Sequence, residues 1–474
     1  MSGALGAGLA TWPLLSHAAN DESKPPLPNF IVYMSDDHGL LFSEPYGNNE
    51  IHTPNLAKLA AEGMTFTHAF NASPSCGPSR AAMLTGLWPA RNGSMPNHLA
   101  PKPETTHLLD VLKELGYETV SIGKVSDPGF PNSFPWDTRL GNINGEQDMV
   151  LVAQYLAERK STKPLCFFFG SHFPHVPWLA NERYDPATLK LPPTLVDTPV
   201  MREYFARYYT SVSKTDALLG EYRALVQKYV PGDSLFLYTT DHGAQLPFGK
   251  WDVYDAGTRV PFIAAWPGKL KPGSVNDAMI CLPDLLPTFI ELAGGKVPDG
   301  LDGKSFAGLL RGTDNTHRDH VFNACWGDSD CNVYPSRSLR TRDWKYIRNL
   351  HPEFQHHNHI SRFAGEEQGM VYWKTWLAAA ETDPAAATIV KRYTIRPAEE
   401  LYELNADPCE QNNLAADPKQ ADRLAAMRAG LTAWMKQQGD QETVFGHPLL
   451  IGQPVTLIRS PKKALKKTES DLTK

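Results

Sequence analysis

The sequence is organised around Cys76-Gly77-Pro78-Ser79-Arg80, which continues as Ala81-Ala82-Met83-Leu84-Thr85-Gly86. The fixed φ of Pro78 suits a first helical turn, so this stretch predicts a helix with Cys76 at its N-terminus. The unpaired backbone N–H groups of a helix N-terminus suit an anion. Taken alone, the cysteine fits either a thiol nucleophile of lowered pKa or a buried structural residue.

Strand and helix patterns alternate through the half of the chain around this stretch. The apolar run Phe30-Ile31-Val32-Tyr33-Met34 is typical of a strand buried on both faces of a parallel sheet. The same criteria predict further strands over 64–70, 117–122, 165–169 and 234–240. They predict helices over 54–62, 106–115, 146–159, 202–229 and 283–293. The alternation indicates an α/β fold with a large, mostly parallel central sheet flanked by helices.

The pattern changes beyond Gly312. Residues 336–349 alternate like antiparallel strands, 351–361 form a His-rich loop, and 418–438 predict an amphipathic helix. We therefore expect a catalytic domain over 27–335 and a smaller C-terminal α+β domain with an antiparallel sheet over 336–455. Residues 456–474 are predicted to be a basic, disordered tail.

Acidic residues follow two of the predicted strands. Asp36-Asp37-His38-Gly39 comes after the first strand, and Asp241-His242-Gly243 comes after the strand over 234–240. Open α/β sheets bind ligands at the carboxyl edge, and adjacent carboxylates repel each other unless a cation lies between them. The similarity of these two stretches favours a metal site that they share over two separate solvated turns. The strand over 165–169 leads His172 and His175 to the same edge.

Composition limits the class of protein. With 474 residues, 21% charged and 42% hydrophobic, the chain is typical of a globular protein, and its net charge of −6 gives no general attraction to nucleic acid. No apolar run approaches the roughly 20 residues that span a bilayer, so stable membrane insertion is not expected. Residues 1–19 lack charge and end with small residues at signal-peptidase spacing. They predict an exported protein, periplasmic or secreted, or in a lysosome-like compartment of a eukaryote; a disordered cytoplasmic leader is the alternative.

The chain has six cysteines. Cys325 and Cys331 flank a short loop and are a candidate disulfide pair, which agrees with export. Cys166 lies in an apolar run and is predicted to belong to the core. Nothing in the spacing of these residues resembles a zinc site.

Two motifs carry a resemblance to a known family. Cys-x-Pro-Ser-Arg followed by Leu-Thr-Gly resembles the signature of type I sulfatases, in which a maturation enzyme oxidises the cysteine to formylglycine (3-oxoalanine). Leu401-Tyr402-Glu403-Leu404 with Asp407-Pro408 and Glu410 resembles their C-terminal hallmark. The resemblance runs from Asn29 to this hallmark. It implies an alkaline-phosphatase-like sandwich and a hydrolase of sulfuric esters or sulfamates.

The resemblance also implies roles for single residues. Calcium, or magnesium in its place, would be held by Asp36, Asp37, the formylglycine from Cys76, Asp241 and His242. Arg80 would hold the formylglycine, Lys124 and Lys250 would contact sulfate, and His175 would protonate the leaving group. One hydroxyl of the hydrated aldehyde would attack sulfur and the other would expel sulfate. The candidate substrate-binding residues are His172, Asp127 and Arg259.

This chain departs from the family at one position. Sulfatases usually carry a histidine two or three residues after the lysine matched to Lys124, and here Val125-Ser126-Asp127 follows. Three explanations stay open. Asp127 or Ser126 takes the role of that histidine, His172 moves into its place, or the enzyme turns over slowly.

The substrate is predicted from the stretch between Arg91 and His98 together with Tyr372 to Glu403. These look most like sulfamidase-type enzymes, which cleave N-sulfoglucosamine from heparan. Such enzymes usually have arginine in place of Lys250, so an O-sulfatase acting on another sulfated carbohydrate or an aryl sulfate stays open. A phosphatase or phosphonate hydrolase of the same superfamily and an inactive sugar-binding homologue are further alternatives.

Overall fold

The computed structural model describes residues 26–105, 107–127, 133–141 and 146–459, except for the side chains of residues 146 and 147. The leader predicted over 1–19 and most of the basic tail lie outside these residues. Twelve strands are described, in two sheets. They are β1 (Asn29–Ser35), β2 (Met64–Phe70), β3 (Glu118–Gly123), β4 (Thr138–Arg139), β5 (Leu165–Gly170), β6 (Ser234–Thr240), β7 (Arg259–Ala265), β8 (Ser274–Cys281), β9 (His320–Cys325), β10 (Ser336–Thr341), β11 (Trp344–Asn349) and β12 (Glu399–Glu403).

The helices lie between and around these strands. They are α1 (Pro54–Glu62), α2 (Cys76–Thr85), α3 (Pro89–Asn92), α4 (Leu108–Glu114), α5 (Glu146–Glu158), α6 (Pro199–Tyr229), α7 (Asp255–Thr258), α8 (Leu285–Leu292), α9 (Ala307–Arg311), α10 (His359–Arg362), α11 (Met370–Ala380), α12 (Pro384–Thr394) and α13 (Ala421–Gln438). Helix α2 begins at Cys76, as the position of Pro78 predicts.

The large sheet has the order β4-β3-β5-β1-β6-β7-β2-β8. Strand β1 lies inside it, parallel to both β5 and β6. Its residues Phe30, Val32 and Met34 pack into one core with α2, α4 and α8, whereas Ile31 and Tyr33 pack into another with α1, α5 and α6. Because successive side chains of a strand point to opposite faces, a strand covered by helices on both sides needs a continuous apolar run.

The prediction of a mostly parallel sheet is confirmed, with one strand reversed. Strand β7 is antiparallel to β6 and to β2, and every other neighbouring pair in the large sheet is parallel. Strands β6 and β7 are consecutive in the chain and are joined through the loop that carries Lys250.

The small sheet is antiparallel, with the order β12-β11-β10-β9. Helix α13 corresponds to the amphipathic helix predicted over 418–438, and it covers this sheet with Leu424, Met427, Leu431 and Trp434. Its first strand, β9, begins at His320 and pairs with β10. The domain limit at 335/336 stays a prediction, and it falls between β9 and β10, which are neighbours in this sheet. The antiparallel alternation in the sequence starts only at residue 336, so it does not indicate β9.

The suggested disulfide does not form, since Cys325 and Cys331 are both free and buried. Cys325 ends β9, whereas Cys331 lies in a turn closed by backbone hydrogen bonds between Asp328 and Asn332. Cys166 is buried in β5, as predicted. Among the residues described, no helix combines the length and apolar composition needed to cross a membrane.

Candidate active site

The acidic residues of the two strand ends meet the start of α2. Ser35 of β1 is in register with Thr240 of β6, so the residues that follow the two strands are neighbours. Ligand atoms of five buried residues lie within 4.8 Å of one another. This acidic cluster consists of Asp36, Asp37, Cys76, Asp241 and His242. The resemblance to type I sulfatases implied this same set as a metal site.

The cysteine lies inside the acidic cluster. Its Sγ is 3.2 Å from His242 Nε2 and 3.7 Å from Asp36 Oδ1. His242 Nε2 is in turn 3.4 Å from Asp37 Oδ1. A group formed on Cys76 therefore lies among the same side chains that would bind a cation.

Three buried cations balance the three carboxylates. Arg80 Nε donates to Asp241 Oδ2 at 2.9 Å, and its Nη2 donates to Asp36 Oδ1 at 3.2 Å. Lys124 Nζ donates to Asp36 Oδ2 at 2.6 Å, and Lys250 Nζ donates to Asp37 Oδ2 at 2.9 Å. A buried charge is tolerated when it is paired in this way. Each ammonium carries three N–H groups, so each lysine retains donors for an anion.

The two adjacent aspartates differ in their affinity for protons. Burial alone would raise the pKa of Asp36, but Lys124, His175, Arg80 and Lys250 outweigh it and hold this pKa well below its usual range. Burial raises the pKa of Asp37, and the charges of Asp36 and Asp241 add to it against the effect of Lys250 and His242. Asp37 Oδ1 is buried without a hydrogen-bond partner. A divalent cation would supply both the missing charge and the missing partner, and oxygen ligands suit calcium.

The thiol of Cys76 is a poor nucleophile as it stands. Burial raises its pKa well above the ordinary value, and the nearby Lys124 and Lys250 do not compensate. A protonated thiol reacts slowly, because the thiolate is the reactive form. The burial of Cys76 thus argues against a thiol nucleophile with a lowered pKa.

Two histidines from the loop after β5 lie over the acidic cluster. His172 Nδ1 is 3.7 Å from Asp36 Oδ2, His175 Nε2 is 4.0 Å from Asp37 Oδ2, and their rings are 4.8 Å apart. His175 Nδ1 contacts the carbonyl oxygen of Val176 at 2.6 Å, and Nε2 on the other side of the ring faces the acidic cluster. Burial together with Lys250 and Lys124 lowers the pKa of His175 well below its usual value.

Asp127 faces a residue that the sequence did not single out for chemistry. Its Oδ2 is 2.8 Å from Nδ1 of His98. The two residues belong to different loops, and no periodicity or motif in the sequence connects them. Ser79 was also missed; its Oγ donates to the carbonyl oxygen of Asp241 at 2.6 Å and so fastens α2 to the end of β6.

The structure does not bring Arg259 to the acidic cluster, so its assignment to this site is wrong. Its guanidinium donates to the carbonyl oxygen of Thr67, and it lines a separate cavity of about 360 Å³ with His68, Arg340 and Glu410. The reason is its place at the start of β7, where the side chain turns toward the neighbouring strand β2.

Comparison with known families gives two matches. The model of the family described as Sulfatase matches residues 28–295. The model described as N-sulphoglucosamine sulphohydrolase, C-terminal, matches residues 243–358. The first match contains the acidic cluster, Arg80, Lys124, His175 and Lys250.

Individual relatives agree with these matches. An ulvan-active sulfatase of Formosa agariphila is 34% identical over 89% of this chain and 83% of the relative. The human N-sulphoglucosamine sulphohydrolase is 25% identical over 87% of this chain and 90% of the relative. A solved structure, described as bound to its substrate D-glucosamine-2-N,6-O-disulfate, has a TM-score of 0.67 at 19% identity, covering 88% of this chain and 99% of that one. That likeness concerns the fold.

Proposed function

This chain belongs to the sulfatase family, and from that premise we propose that it removes sulfate from a sulfated saccharide through a formylglycine made from Cys76. The observation that supports the proposal best is the pair Lys124 and Lys250, held on either side of the acidic cluster by Asp36 and Asp37. Two fixed ammonium groups beside one reacting side chain suit an anionic group such as sulfate.

The chain's own residues would bind and orient the reacting groups. Asp36, Asp37, Asp241 and His242 would hold a divalent cation, for which we propose calcium. Formylglycine would supply a hydrated aldehyde as nucleophile, and the cation would neutralise charge on the sulfate oxygens. Arg80 would keep Asp36 and Asp241 in place, and the free N–H groups of Lys124 and Lys250 would bind sulfate oxygens. His175 Nε2 would carry the proton for the leaving group.

Two saccharide classes are candidates for the substrate. An ulvan-type polysaccharide is supported by the relative at 34% identity and by Lys250, which stands where sulfamidases usually have arginine. N-sulfoglucosamine is supported by the C-terminal family match and by the human relative. A sulfamate has an amine leaving group, whereas a sulfate ester has an alcohol, so the two classes make different demands on the proton donor.

The proposal is tested by sulfate release from purified protein that has been co-expressed with a formylglycine-generating maturation enzyme. Ulvan oligosaccharides, N-sulfoglucosamine, an aryl sulfate and the matching aryl phosphate are compared at equal concentration. We expect sulfate release from one of the two saccharide classes at a rate well above phosphate release. Phosphate release without sulfate release would support a phosphatase instead, and no release from any substrate would support an inactive binding protein. We further propose that the protein is exported; the predicted leader supports this.

A further inference from the structure

Lys250 has a second buried partner besides Asp37. Its Nζ donates to Asp37 Oδ2 at 2.9 Å and to Oε1 of Gln245 at 3.3 Å. Gln245 is only 1% exposed, so this contact is shielded from water. An ammonium has three N–H groups, and these two partners leave one for an anion. Gln245 therefore contributes to the direction of that remaining N–H group.

The loop between β6 and β7 places Gln245 beside Lys250. The backbone N–H of Lys250 donates to the carbonyl oxygen of Ala244 at 2.8 Å, and that of Gly249 donates to Leu246 at 2.9 Å. A Cβ on Gly249 would lie 2.3 Å from the carbonyl oxygen of Ala244, so this turn has no room for a side chain there. The tight turn fixes the two side chains relative to each other.

Gln245 joins Lys250 to Gln368, a residue of the segment between α10 and α11. Gln245 Nε2 donates to Gln368 Oε1 at 2.8 Å. Because an ammonium can only donate, the amide oxygen of Gln245 faces Lys250 and its amide nitrogen faces Gln368. The amide oxygen of Gln368 is therefore an acceptor. Its Nε2 donates to none of the residues that the structure describes, and the side chain is partly exposed, so Gln368 has N–H groups to offer to a ligand.

His175 and Lys250 approach the same oxygen of the acidic cluster. His175 Nε2 is 4.0 Å and Lys250 Nζ is 2.9 Å from Asp37 Oδ2. Under the proposed function, Lys250 binds the sulfate and His175 protonates the leaving group. The leaving saccharide then lies on the side of the cluster that these two residues occupy.

The segment that carries Gln368 borders this side. Besides the hydrogen-bond chain described above, it is joined to the loop of His175 by aromatic contacts. The ring of Tyr372, at the start of α11, is 5.5 Å from that of Tyr204, which is 6.3 Å from that of Trp178. Trp178 follows His175 in the loop after β5. The free amide of Gln368 is therefore on the leaving-group side of the site.

The charges next to Gln368 favour one kind of acceptor. Glu366 and Glu367 precede it in the same short turn, and both are exposed. Their carboxylates repel a second anionic group, such as another sulfate or a carboxylate. An amide N–H donates equally well to a neutral hydroxyl oxygen. A sugar hydroxyl is the acceptor that fits this position.

Resting on the proposed function, we propose that Gln368 donates from Nε2 to a hydroxyl oxygen of the sugar that carries the sulfate, and that Gln245 is the positioning residue that orients both Lys250 and Gln368. The two glutamines thus connect recognition of the sugar to binding of the sulfate. An aryl sulfate has no such hydroxyl group and does not use Gln368.

The first test compares Gln368→Leu with the wild type, both as full chains co-expressed with the maturation enzyme. Loss of one hydrogen bond should raise KM roughly twofold to tenfold on the saccharide that the wild type cleaves, with kcat nearly unchanged. The rate on an aryl sulfate should stay the same. Gln368→Glu is measured beside it, because it keeps the oxygen that accepts from Gln245 but lacks the N–H groups, and it should show at least the same loss on the saccharide.

The second test addresses Gln245. Gln245→Leu removes a partner of Lys250, so kcat/KM should fall roughly threefold to tenfold on the aryl sulfate and further on the saccharide. On the saccharide, the double variant with Gln368→Leu should lose less than the product of the two single losses, because residues of one hydrogen-bond network are not additive. The control is Gln438→Leu, since Gln438 is also buried and donates to a carboxylate, that of Asp302, at 3.0 Å. It should leave both rates unchanged.

The outcomes separate this inference from the proposed function. If Gln368→Leu loses activity equally on both substrates, or on neither, Gln368 does not bind the sugar and the inference fails. Additive losses in the double variant, or losses in Gln438→Leu equal to those in Gln245→Leu, would overturn the positioning role of Gln245. In each of these cases the wild type still releases sulfate. If it releases none from any substrate, the proposed function fails, and the inference fails with it.

Discussion

Arg80 Nε donates to Asp241 Oδ2 at 2.9 Å, and both side chains are fully buried. Arg80 belongs to the second turn of α2 and Asp241 follows β6, so this ion pair joins the helix that begins at Cys76 to a strand end of the acidic cluster. Arg80 also reaches Asp36 and donates to the carbonyl oxygen of Lys124. One side chain therefore positions three of the elements that make the site.

Arg80→Leu should destabilise the protein by about 3 to 5 kcal/mol, because it removes the buried cation that pairs with Asp241 and leaves Asp36 paired with Lys124 alone. The free energy of unfolding is measured by chemical denaturation. The control is Arg207→Leu, which breaks a partly exposed pair with Glu203. Exposed pairs contribute little, so the control should lose under about 1 kcal/mol. Equal losses in the two variants would contradict the structural role given to Arg80.

Asp37→Asn should lower bound calcium and activity together, because Asp37 Oδ1 is a buried carboxylate oxygen of the acidic cluster without a hydrogen-bond partner. Metal content is measured by elemental analysis after dialysis against a weak chelator. Asp330→Asn is the control, since this carboxylate lies outside the acidic cluster and pairs with the exposed His447. Full metal content in Asp37→Asn would show that the acidic cluster does not hold the cation.

Cys76 should lose mass on maturation, because the aldehyde replaces a thiol. Peptide mass spectrometry of protein made with and without the maturation enzyme measures the difference, and sulfate release should rise with the fraction converted. Cys409→Ser should leave both unchanged, since Cys409 lies outside the acidic cluster and lines the separate cavity. Activity equal to the matured enzyme in protein that retains the thiol would contradict the proposed chemistry.

His175→Ala should reduce kcat/KM more on a sulfated saccharide than on an aryl sulfate, on the order of a hundredfold more, because a phenol leaves without a proton and a sugar does not. Nε2 faces Asp37 while Nδ1 donates to the Val176 carbonyl oxygen, so Nε2 carries a proton only in the imidazolium form, which the negative charge of a bound sulfate would favour. His172→Ala is measured beside it. A differential loss in His172→Ala instead would transfer the proton-donor role to His172.

The sequence alone determined most of the acidic cluster. Asp36, Asp37 and Asp241 follow apolar runs long enough only for strands buried on both faces, and parallel buried strands end at the same edge of a sheet. Pro78 indicated where the helix of Cys76 begins, whereas the resemblance to type I sulfatases joined Cys76 to these carboxylates. Both kinds of signal are local in the sequence. A run of apolar residues indicates a buried strand, and a residue such as Pro78 indicates where a helix begins.

Only the tertiary structure decided which side chains face the reacting residue from other loops. The pairing of His98 with Asp127 and the turn of Arg259 away from the cluster depend on backbone dihedrals and on packing between distant segments. The reversal of β7 and the entry of β9 into the small sheet depend likewise on which strands become neighbours. An apolar pattern reports that a residue is buried, but it does not report its partner, and a polar residue in a loop carries no periodicity at all. The fold class and the members of the acidic cluster were therefore predictable, whereas the contacts between distant loops were not.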